Sequence, residues 1–442
     1  MDIKLPKGTH DIIGEEAEGF LAIEQVLKDV VTTYGFHLIR TPIFEHTELF
    51  TRSVGDSSDI VRKEMYTFKD KGDRSLTLRP ELTAGALRSI VETKMDVTAT
   101  LPIKLYYNGP AFRYERPQLG RFRQFHQFGV ELVGTTHPLH VVETIILGYQ
   151  SLKHLGFNKV SLKLNSLGDP TTRDNYRNAL KTYFEPKLQH LCADCQIRFQ
   201  TNPLRMLDCK VPEDHEIAEH APKILDFLSP ASLRHFNLVT TTLKEERIDF
   251  DLDKTLVRGL DYYSNMVFEF HYQSKQGSSM GALGAGGEYH QLVSDLGGQP
   301  LAGVGFAFGL ERLYAVMVEE ALFENTSIST DIIVMPLSEK EDQEAFRLTQ
   351  ELRASGMIAE INLDHKPLKN QFKFADRRHA RFAMIIGEQE VKDQKVTMKN
   401  LDTQEQSSIS RKEIVHTMIH QLGHDHDHDD DKACDPDCDC ND

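Results

Sequence analysis

Apolar residues recur at helical spacing in some stretches of the first 165 residues and alternate with polar residues in others. Helical spacing predicts amphipathic helices, and alternation predicts half-buried strands. The elements predicted here are helices over 16–34 and 83–95, strands over 36–46, 103–108 and 127–134, and a hairpin of 64–69 with 74–79. Strands joined by loops with occasional helices between them indicate a mixed antiparallel sheet rather than a regular βαβ series.

The middle of the chain has a different texture. From about residue 168 to 238 it is charged and helical in pattern, contains cysteine, and has prolines at 203, 212, 222 and 230. We interpret this stretch as an inserted helical module. Strand patterning then returns at 255–260, 266–272 and 303–308, and the segment after the last strand continues as a helix to about residue 320.

After residue 331 strand-like and helix-like segments alternate, which predicts a compact α/β domain with a mostly parallel sheet over residues 331–423. The last segment, 424–442, contains almost no apolar side chains and is expected to be disordered without a ligand. The predicted fold class is therefore α+β. Residues 1–325 form an antiparallel sheet flanked by helices with a helical insertion, and the α/β domain and the tail follow.

Composition adds limits to this picture. A chain of 442 residues with 40% apolar content suggests two or three globular domains. The chain has no signal-peptide pattern and no run of about 18 apolar residues, so a soluble cytoplasmic protein without membrane contact is expected. The formal charge of −16 argues against indiscriminate nucleic-acid binding, but half of it comes from the tail, which has nine Asp and one Lys. A local basic groove remains compatible with the mildly acidic body.

Six cysteines fall into two groups, and neither resembles a disulfide framework. Cys192, Cys195 and Cys209 follow His190 in an H-x-C-x₂-C-x₁₃-C pattern, which could bind zinc, although a second C-x₂-C pair is missing. Buried thiols without a metal in the core are the favoured interpretation. The tail could chelate a metal or be a solvated acidic extension, and its possible ligands are His424, His426, His428, Cys434, Cys438 and Cys440.

The densest polar segment is GPAFRYERPQLGRFRQFHQFGVELVG, residues 109–134. Alternation places Arg113 and Glu115 on one face of a first strand, and Gln127 and Glu131 on one face of a second. Further arginines lie in or beside the connecting loop, at positions 116, 121 and 123. Such a concentration of guanidinium groups suits a triphosphate, because arginine forks match phosphate oxygens. The alternative is a solvated basic hairpin tip with structural ion pairs.

This segment resembles motif 2 of the class II aminoacyl-tRNA synthetases, in the form found in the histidine–tRNA ligase (histidyl-tRNA synthetase) family. Residues 303–313 (GVGFAFGLERL) resemble motif 3, and the region around Pro42 resembles motif 1. Further segments similar to family signatures are PKGTHD (6–11), TLRPELTA (77–84), LVRGLDYYSNMVFEF (256–270) and GALGAGGEYHQLVSDLGG (281–298). The likeness covers residues 1 to about 423, and the RGLDYY sequence marks the histidine branch.

The resemblance implies a homodimeric ligase that uses L-histidine, ATP, Mg²⁺ and histidine tRNA. In this family histidine and ATP form histidyl adenylate and diphosphate, and the histidyl group then passes to the tRNA with release of AMP. A catalytically silent paralogue, a regulatory subunit of the histidine-biosynthetic ATP phosphoribosyltransferase, is the alternative. Such paralogues tend to lose the arginines of the ATP site and the anticodon domain, whereas this chain retains both.

The family motifs imply a role for each matched residue. The catalytic residues are Arg113, at the α-phosphate and the histidine carboxylate, and Arg258 of the RGLDYY signature, which could otherwise form a structural pair with Asp261 or Glu269. The ATP-binding residues are Arg113, Glu115, Arg121, Phe125 and Arg312, with Glu115 at the adenine amino group and Phe125 stacking on the base. The histidine-binding residues are Glu81, Leu82, Thr83, Arg113, Gln127, Glu131, Arg258, Tyr262, Tyr263 and Tyr289.

Two details qualify the histidine set. Because neighbouring strand residues point to opposite faces, one of Tyr262 and Tyr263 is expected to be a wall rather than a hydrogen-bond partner. Many family members have Gly at position 82, and many have Arg where Glu288 stands, so Glu288 is not assigned to the site.

Residues 331–423 resemble the anticodon-binding domain of class II synthetases. Lys366, Lys369 and Lys373 are the candidate tRNA contacts, since helical spacing would place them near one face. The alternative is an ordinary charged helix surface.

Overall fold

A computed structural model describes residues 3–55, 58–116, 120–209, 211–256, 259–260, 262–273, 281–323 and 330–423. Contacts divide the chain into one unit of residues 1–325 and a second of residues 326–442. Within the described residues, every helix is too short or too polar to cross a membrane.

The first unit is built from eleven helices and eleven strands in its described part. The helices are α1 (Glu15–Thr33), α2 (Thr47–Val54), α3 (Thr83–Glu92), α4 (Met95–Thr98), α5 (Pro138–His154), α6 (Pro170–Phe184), α7 (Ala193–Thr201), α8 (Pro212–Glu219), α9 (Pro230–Glu245), α10 (Leu292–Asp295) and α11 (Leu310–Glu319). Short helical turns of other types cover Ile60–Glu64, Glu185–His190, Pro203–Asp208 and Ile224–Phe227. The strands are β1 (His37–Leu38), β2 (Phe44–His46), β3 (Tyr66–Lys69), β4 (Ser75–Leu78), β5 (Ile103–Phe112), β6 (Gln124–Val133), β7 (Val160–Ser166), β8 (Phe250–Leu252), β9 (Tyr263–Tyr272), β10 (Ala282–Tyr289) and β11 (Gly303–Gly309).

Eight of these strands form the main sheet, in the order β1-β5-β6-β11-β10-β9-β7-β8. In this order, neighbouring strands from β5 to β7 are antiparallel. The edge strand β1 pairs in parallel with β5, and the other edge strand, β8, pairs in parallel with β7. This confirms the predicted antiparallel sheet. A separate antiparallel sheet has the order β2-β4-β3 and contains the predicted hairpin.

Helices α1, α5, α9 and α11 cover the main sheet and bury its largest apolar cluster. Helix α1 supplies Phe20, Ile23 and Leu27, whose spacing of three and four residues places them on one face. Gly35 lies just after this helix with φ of 77°, the left-handed conformation that glycine adopts without strain. The helix predicted over residues 16–34 is thus confirmed, together with the reason for its end.

Two predicted strands differ from the structure. Residues 36–46 form two short strands in different sheets, β1 and β2, because Pro42 lies between them and cannot donate to a ladder. The described residues of 255–260 form a turn rather than a strand. Asp253 starts this turn by accepting hydrogen bonds from the backbone and hydroxyl of Thr255, at 3.0 and 2.7 Å.

The inserted module has an apolar cluster of its own, which includes Tyr176, Leu180 and Phe199. Its first helix, α6, begins where Asp169 accepts from the Thr172 amide at 2.8 Å and proline occupies the first helical position. Helix α9, in contrast, packs in the main core through Phe236 and its neighbours. The module is therefore made by α6 to α8 and the short turns between them.

The second unit contains β12 (Ile332–Pro336), β13 (Ala359–Ile361), β14 (Phe382–Ile386), β15 (Lys395–Asn400) and β16 (Gln406–Ser410), with α12 (Asp342–Ala354), α13 (Leu368–Arg377), α14 (Glu388–Asp393) and α15 (Ile414–Leu422). Its sheet order is β13-β12-β14-β15-β16. The three strands at one edge are parallel and the last two are antiparallel, so the sheet is more mixed than predicted.

Candidate active site

One cavity of about 600 Å³ lies over the central strands of the main sheet. Its walls come from β5, β6, β9, β10 and β11, from the beginnings of α3 and α11, and from the inserted module. The predicted residues that line it are Glu81, Thr83, Arg113, Glu115, Arg121, Phe125, Gln127, Glu131, Tyr262, Tyr263, Tyr289 and Arg312. Segments more than 200 residues apart in the sequence therefore converge on a single concave site of the size that small substrates occupy.

At the floor of the cavity, the Glu131 carboxylate is held by two tyrosine hydroxyls. Tyr107 donates to Oε1 at 3.0 Å and Tyr289 donates to Oε2 at 2.7 Å. Thr83 contacts the Tyr107 hydroxyl at 3.2 Å. Burial raises the pKa of Glu131 to about 7, although the hydrogen bonds from Thr83 and the two tyrosines oppose the shift. A buried carboxylate fixed in this way can accept an N–H from a ligand.

Glycines make room for this arrangement. A Cβ at Gly305 would lie 2.2 Å from Oε2 of Glu131, and a Cβ at Gly129 would lie 2.6 Å from the ring of Tyr107. Any larger residue at either position would displace the carboxylate or its donor. The glycine-rich sequence of β11 is therefore part of the site and not only of the sheet.

Glu81 is buried and holds the first turn of α3. Its two carboxylate oxygens accept from the amides of Thr83 and Ala84 at 2.7 and 2.8 Å. Burial raises the pKa of Glu81, and these hydrogen bonds act against the shift. The sequence suggested this pair through the TLRPELTA segment, and the structure adds that the carboxylate is oriented by its own helix.

Gln127 and the paired tyrosines form another part of the wall. The Oε1 atom of Gln127 is buried and has no hydrogen-bond partner among the described residues. Such an atom indicates a ligand that donates to it, because an unsatisfied buried acceptor is costly. Tyr262 and Tyr263 both line the cavity, with ring centroids 4.5 Å apart. The alternation expected for them does not apply, since β9 begins at Tyr263 and Tyr262 belongs to the preceding turn.

The other side of the cavity is rich in guanidinium groups. Arg113 donates through Nε to the Pro80 carbonyl at 2.8 Å. Arg312 donates to the carbonyls of Ala282 at 2.7 Å and of Gly120 at 3.3 Å. Burial lowers the pKa of Arg312, and repulsion from Arg121 and Arg113 acts in the same direction. Backbone carbonyls hold two of these cations, Arg113 and Arg312, and Arg121 lies near enough to repel Arg312. The three guanidinium groups together form a site for a multivalent anion.

Glu115 and Phe125 lie among these arginines. One oxygen of Glu115 is 3.4 Å from Nη1 of Arg121, and the other is 4.0 Å from Nη1 of Arg113. The Arg113 guanidinium lies 5.3 Å from the centroid of the Phe125 ring, within the range of a cation–π contact. Glu115 and Phe125, which the motif resemblance assigns to the adenine of ATP, thus lie next to the arginines that it assigns to the phosphates.

Two residues considered in the sequence lie elsewhere. Leu82 does not line the cavity but is buried in a small apolar cluster with Ala86, Tyr107 and Ala111, so its assignment to histidine binding is dropped. Glu288, which was not assigned, accepts from the Met266 amide at 3.0 Å and lies 2.9 Å from Nε2 of His235. It acts as a structural acid on the far side of β10.

Several predicted residues are outside the described part of the chain. Arg258 and its possible partner Asp261 are among them. The tail residues His424, His426, His428, Cys434, Cys438 and Cys440 are likewise outside it.

Sequence reasoning missed Tyr107 and the contact between Glu311 and His126. Tyr107 lies opposite Gly129 in the ladder between β5 and β6, and this register is not given by the sequence pattern. The Glu311 carboxylate accepts from the backbone amide of His126 at 2.8 Å and contacts Nδ1 of its ring at 2.9 Å. This contact links β6 to the beginning of α11, and only the strand order, with β11 beside β6, brings the two segments together.

Cys192, Cys195 and Cys209 also come together, although away from the cavity floor. Their sulfur atoms and a carboxylate oxygen of Asp214 all lie within 4.8 Å of one another. The sequence pattern contained the three thiols but did not indicate Asp214, which belongs to the next helix.

In the second unit, Lys366, Lys369 and Lys373 are exposed. Lys369 and Lys373 lie one turn apart on α13, but Lys366 precedes Pro367, which caps that helix, and pairs with Asp364 at 2.7 Å. The expectation of three lysines at helical spacing is therefore wrong for Lys366, because this residue lies before the first residue of the helix.

Comparison with known proteins agrees with the family resemblance of the sequence motifs. The family model of histidyl-tRNA synthetase matches residues 8–313, and the anticodon binding domain model matches residues 331–421. Histidine–tRNA ligase of Bacillus subtilis is 44% identical, over 95% of this chain and 99% of the relative. The enzyme of the same name from Lactiplantibacillus plantarum is 46% identical, over 94% of this chain and 98% of the relative.

Among solved structures, the apo form of histidyl-tRNA synthetase from S. aureus is similar, with a TM-score of 0.81 and 37% identity. The match covers 94% of this chain and all of that one. A Bacillus halodurans structure described as an ATP phosphoribosyltransferase regulatory subunit/histidyl-tRNA synthetase has a TM-score of 0.63 at 21% identity, which indicates a shared fold alone.

Proposed function

Because the chain belongs to the histidyl-tRNA synthetase family and attaches histidine to tRNA with the use of ATP, we propose that the cavity in the first unit is where histidyl adenylate forms. The observation that carries this proposal is that two sides of the cavity differ in charge and hydrogen-bonding groups. A buried acceptor, Glu131, lies at its floor, and a cluster of guanidinium groups lies along its other side. The first suits an imidazole and the second suits a triphosphate.

Histidine recognition follows from the fixed acceptors. A neutral imidazole offers one N–H donor and one acceptor nitrogen. The ionised Glu131 accepts the N–H, and a tyrosine hydroxyl can donate to the other nitrogen. The substrate's ammonium group donates to Glu81 and to the unsatisfied Oε1 of Gln127. An amino acid without these groups would leave buried polar atoms unpaired, which can reject competitors by about 10⁴-fold.

Adenylate formation is an in-line displacement at the α-phosphorus of ATP. A histidine carboxylate oxygen forms the new O–P bond, and the bond to the diphosphate oxygen breaks. Arg113 stabilises the charge that builds at the α-phosphate, and Arg121 and Arg312 bind the outer phosphates. Glu115 accepts from the adenine amino group while Phe125 stacks on the ring. We assign Arg258 as a second catalytic cation on the strength of the RGLDYY signature.

Mg²⁺ fits the residues present. The cavity carboxylate Glu269 lies near Arg312, and Mg²⁺ prefers carboxylate and phosphate oxygens together with water. When bound, the ion supplies charge neutralisation at the phosphates. The chain's own contribution is to orient the phosphates with its guanidinium groups.

A homodimer acting in the cytoplasm completes the proposal. Phe44 and Phe68, on the outer strands of the β2-β4-β3 sheet, are 53% and 44% exposed, and the nearby motif 1 residue Ile43 is 45% exposed. Exposed apolar side chains gathered on one small sheet indicate a covered surface. Light scattering on the full chain should give twice the chain mass, and a monomer at working concentration would contradict this assignment.

The function is tested by histidine-dependent exchange of labelled diphosphate into ATP, followed by charging of histidine tRNA. Purified full-length protein with Mg²⁺ should support both reactions, and omission of histidine should abolish the first. A folded dimer that neither exchanges diphosphate nor charges tRNA would contradict the proposal and favour the regulatory-subunit alternative. Retention of Arg113, Arg121 and Arg312 in the cavity and of the second unit speaks against that alternative.

For the tRNA contacts, we expect the double substitution Lys369→Ala with Lys373→Ala to raise the KM for tRNA by about 10-fold, because two exposed cations of α13 are lost. Diphosphate exchange should be unchanged, since it needs no tRNA. Lys392→Ala is the matched control, because Lys392 is an exposed lysine of the same unit that pairs with Glu388 at 2.7 Å. Equal effects of the two sets would show that α13 is an ordinary charged surface.

A further inference from the structure

The inserted module brings three thiols and one carboxylate to a single point. Cys192 caps the beginning of α7, Cys195 lies in the first turn of that helix, Cys209 follows the turn Pro203–Asp208, and Asp214 lies in the first turn of α8. Cys195, Cys209 and Asp214 are buried, and Asp214 is only 2% exposed. The group thus joins three separate segments of the module, and we call it the Cys₃Asp cluster.

Two distances in the Cys₃Asp cluster are those of the edges of a coordination tetrahedron. A tetrahedral ion about 2.3 Å from each sulfur separates two thiolates by about 3.8 Å. The sulfurs of Cys192 and Cys209 are 3.8 Å apart, and Oδ2 of Asp214 is 3.4 Å from the sulfur of Cys209. All four ligand atoms lie within 4.8 Å of one another. A disulfide would need a separation of about 2.05 Å, so the two thiols lie at metal-ligand rather than bonded distance.

The surroundings supply the supporting contacts that a metal site needs. The Cys195 amide donates to the sulfur of Cys192 at 3.4 Å, and the Cys192 amide donates to Asp214 at 3.1 Å. Such outer hydrogen bonds orient ligands and stabilise their negative charge.

We propose that the Cys₃Asp cluster binds one Zn²⁺ ion as a closed structural site that fixes the inserted module. Three sulfurs with one carboxylate favour zinc over Mg²⁺ or Ca²⁺, which prefer oxygen ligands, and four protein ligands leave no open position for chemistry. Binding releases the thiol protons and leaves three thiolates on the ion. A buried carboxylate among cysteine thiols, which are weak donors, then has a strong partner.

The site also connects to the cavity. Leu207 and His215 line the cavity, and they lie two residues before Cys209 and one residue after Asp214. Arg205, in the same turn as Leu207, donates to the carbonyl of Gly259 at 2.7 Å, beside the histidine signature. Zinc would therefore hold one wall of the cavity in place. This second step depends on the proposed function, whereas zinc binding does not.

The test uses full-length protein in which the tail thiols are removed by Cys434→Ser, Cys438→Ser and Cys440→Ser, so that only the core supplies thiolates. This protein should retain about one equivalent of core-bound zinc and, after replacement of zinc by Co²⁺, should show the visible absorption of tetrahedral cobalt thiolate. Adding Cys195→Ser should remove that equivalent and the cobalt absorption. Absence of both signals from the reduced tail-substituted protein would overturn the proposal.

Asp214→Asn covers the case in which Cys195→Ser fails to fold. It leaves all three thiols, so the cobalt absorption should remain while affinity for zinc falls by about 10-fold or more. Unchanged zinc affinity would exclude Asp214 as a ligand and overturn the proposed ligand set. Removing zinc from the tail-substituted protein should lower its unfolding temperature and raise the KM for histidine. Zinc binding with an unchanged KM would retain the metal site and reject only its link to the cavity.

Discussion

Replacing Arg113 by alanine is expected to slow histidine-dependent diphosphate exchange by about 10²–10³-fold. The side chain lines the cavity, its Nε donates to the Pro80 carbonyl, and its guanidinium lies 5.3 Å from the centroid of the Phe125 ring. These contacts hold the guanidinium in place before substrates arrive, so its charge is available where the pentavalent phosphorus develops. Because the effect is on the transition state, kcat should fall more than the affinity for ATP.

Arg116→Ala is the matched control for this experiment. Arg116 belongs to the same connecting loop and carries the same charge, but it is exposed and does not line the cavity. It should leave exchange nearly unchanged. Arg113→Lys should restore only part of the lost rate, since an ammonium cannot reproduce a two-point contact with phosphate and carboxylate. Equal losses in Arg113→Ala and Arg116→Ala would show a general charge effect and contradict the assigned role.

The sequence was most informative where local patterns determine structure. The apolar spacing of α1 and the polar turn between β3 and β4 each depend on residues a few positions apart, and both predictions are confirmed. The prediction of one strand over 36–46 was less accurate, because this segment contributes a short strand to each of two sheets. Alternation carries no information about which sheet a strand joins.

For the site, motif resemblance identified most of the lining residues but not the contacts between them. Tyr107 was missed because it lies in a strand without a polar pattern, and its role comes from the register that sets it opposite Gly129. Leu82 was included because it stands inside a matched motif, although the helix beginning at Thr83 turns it into an apolar cluster. Tertiary register and helix phase decide such cases, and neither can be obtained from spacing alone.

Glu131→Gln is expected to make the ligand-free protein more stable at pH 8 while impairing histidine activation. The folded-state pKa of Glu131 is about 7, against 4.5 for an ordinary glutamate. Below about pH 4.5 the carboxyl group is protonated in both states; between pH 4.5 and 7 the unfolded chain ionises first, so the free energy of unfolding falls. Above about pH 7 the carboxyl group is ionised in both states, and the loss of unfolding free energy stays constant at about 3 kcal/mol. Glutamine resembles the protonated acid and does not incur this cost.

Urea unfolding of the wild type and Glu131→Gln at pH 5 and pH 8 measures this difference, which should be small at pH 5 and largest at pH 8. Glu288→Gln is the matched control of opposite sign: burial raises the pKa of Glu288, but hydrogen bonds from His235 and His290 outweigh it and lower the pKa overall. That variant should lose stability at pH 8.

The kcat/KM for histidine should fall by about 10–100-fold in Glu131→Gln, because a charge-assisted hydrogen bond to the imidazole is lost, while the KM for ATP changes little. A destabilised Glu131→Gln with normal histidine activation would mean that the carboxylate serves the fold rather than the substrate.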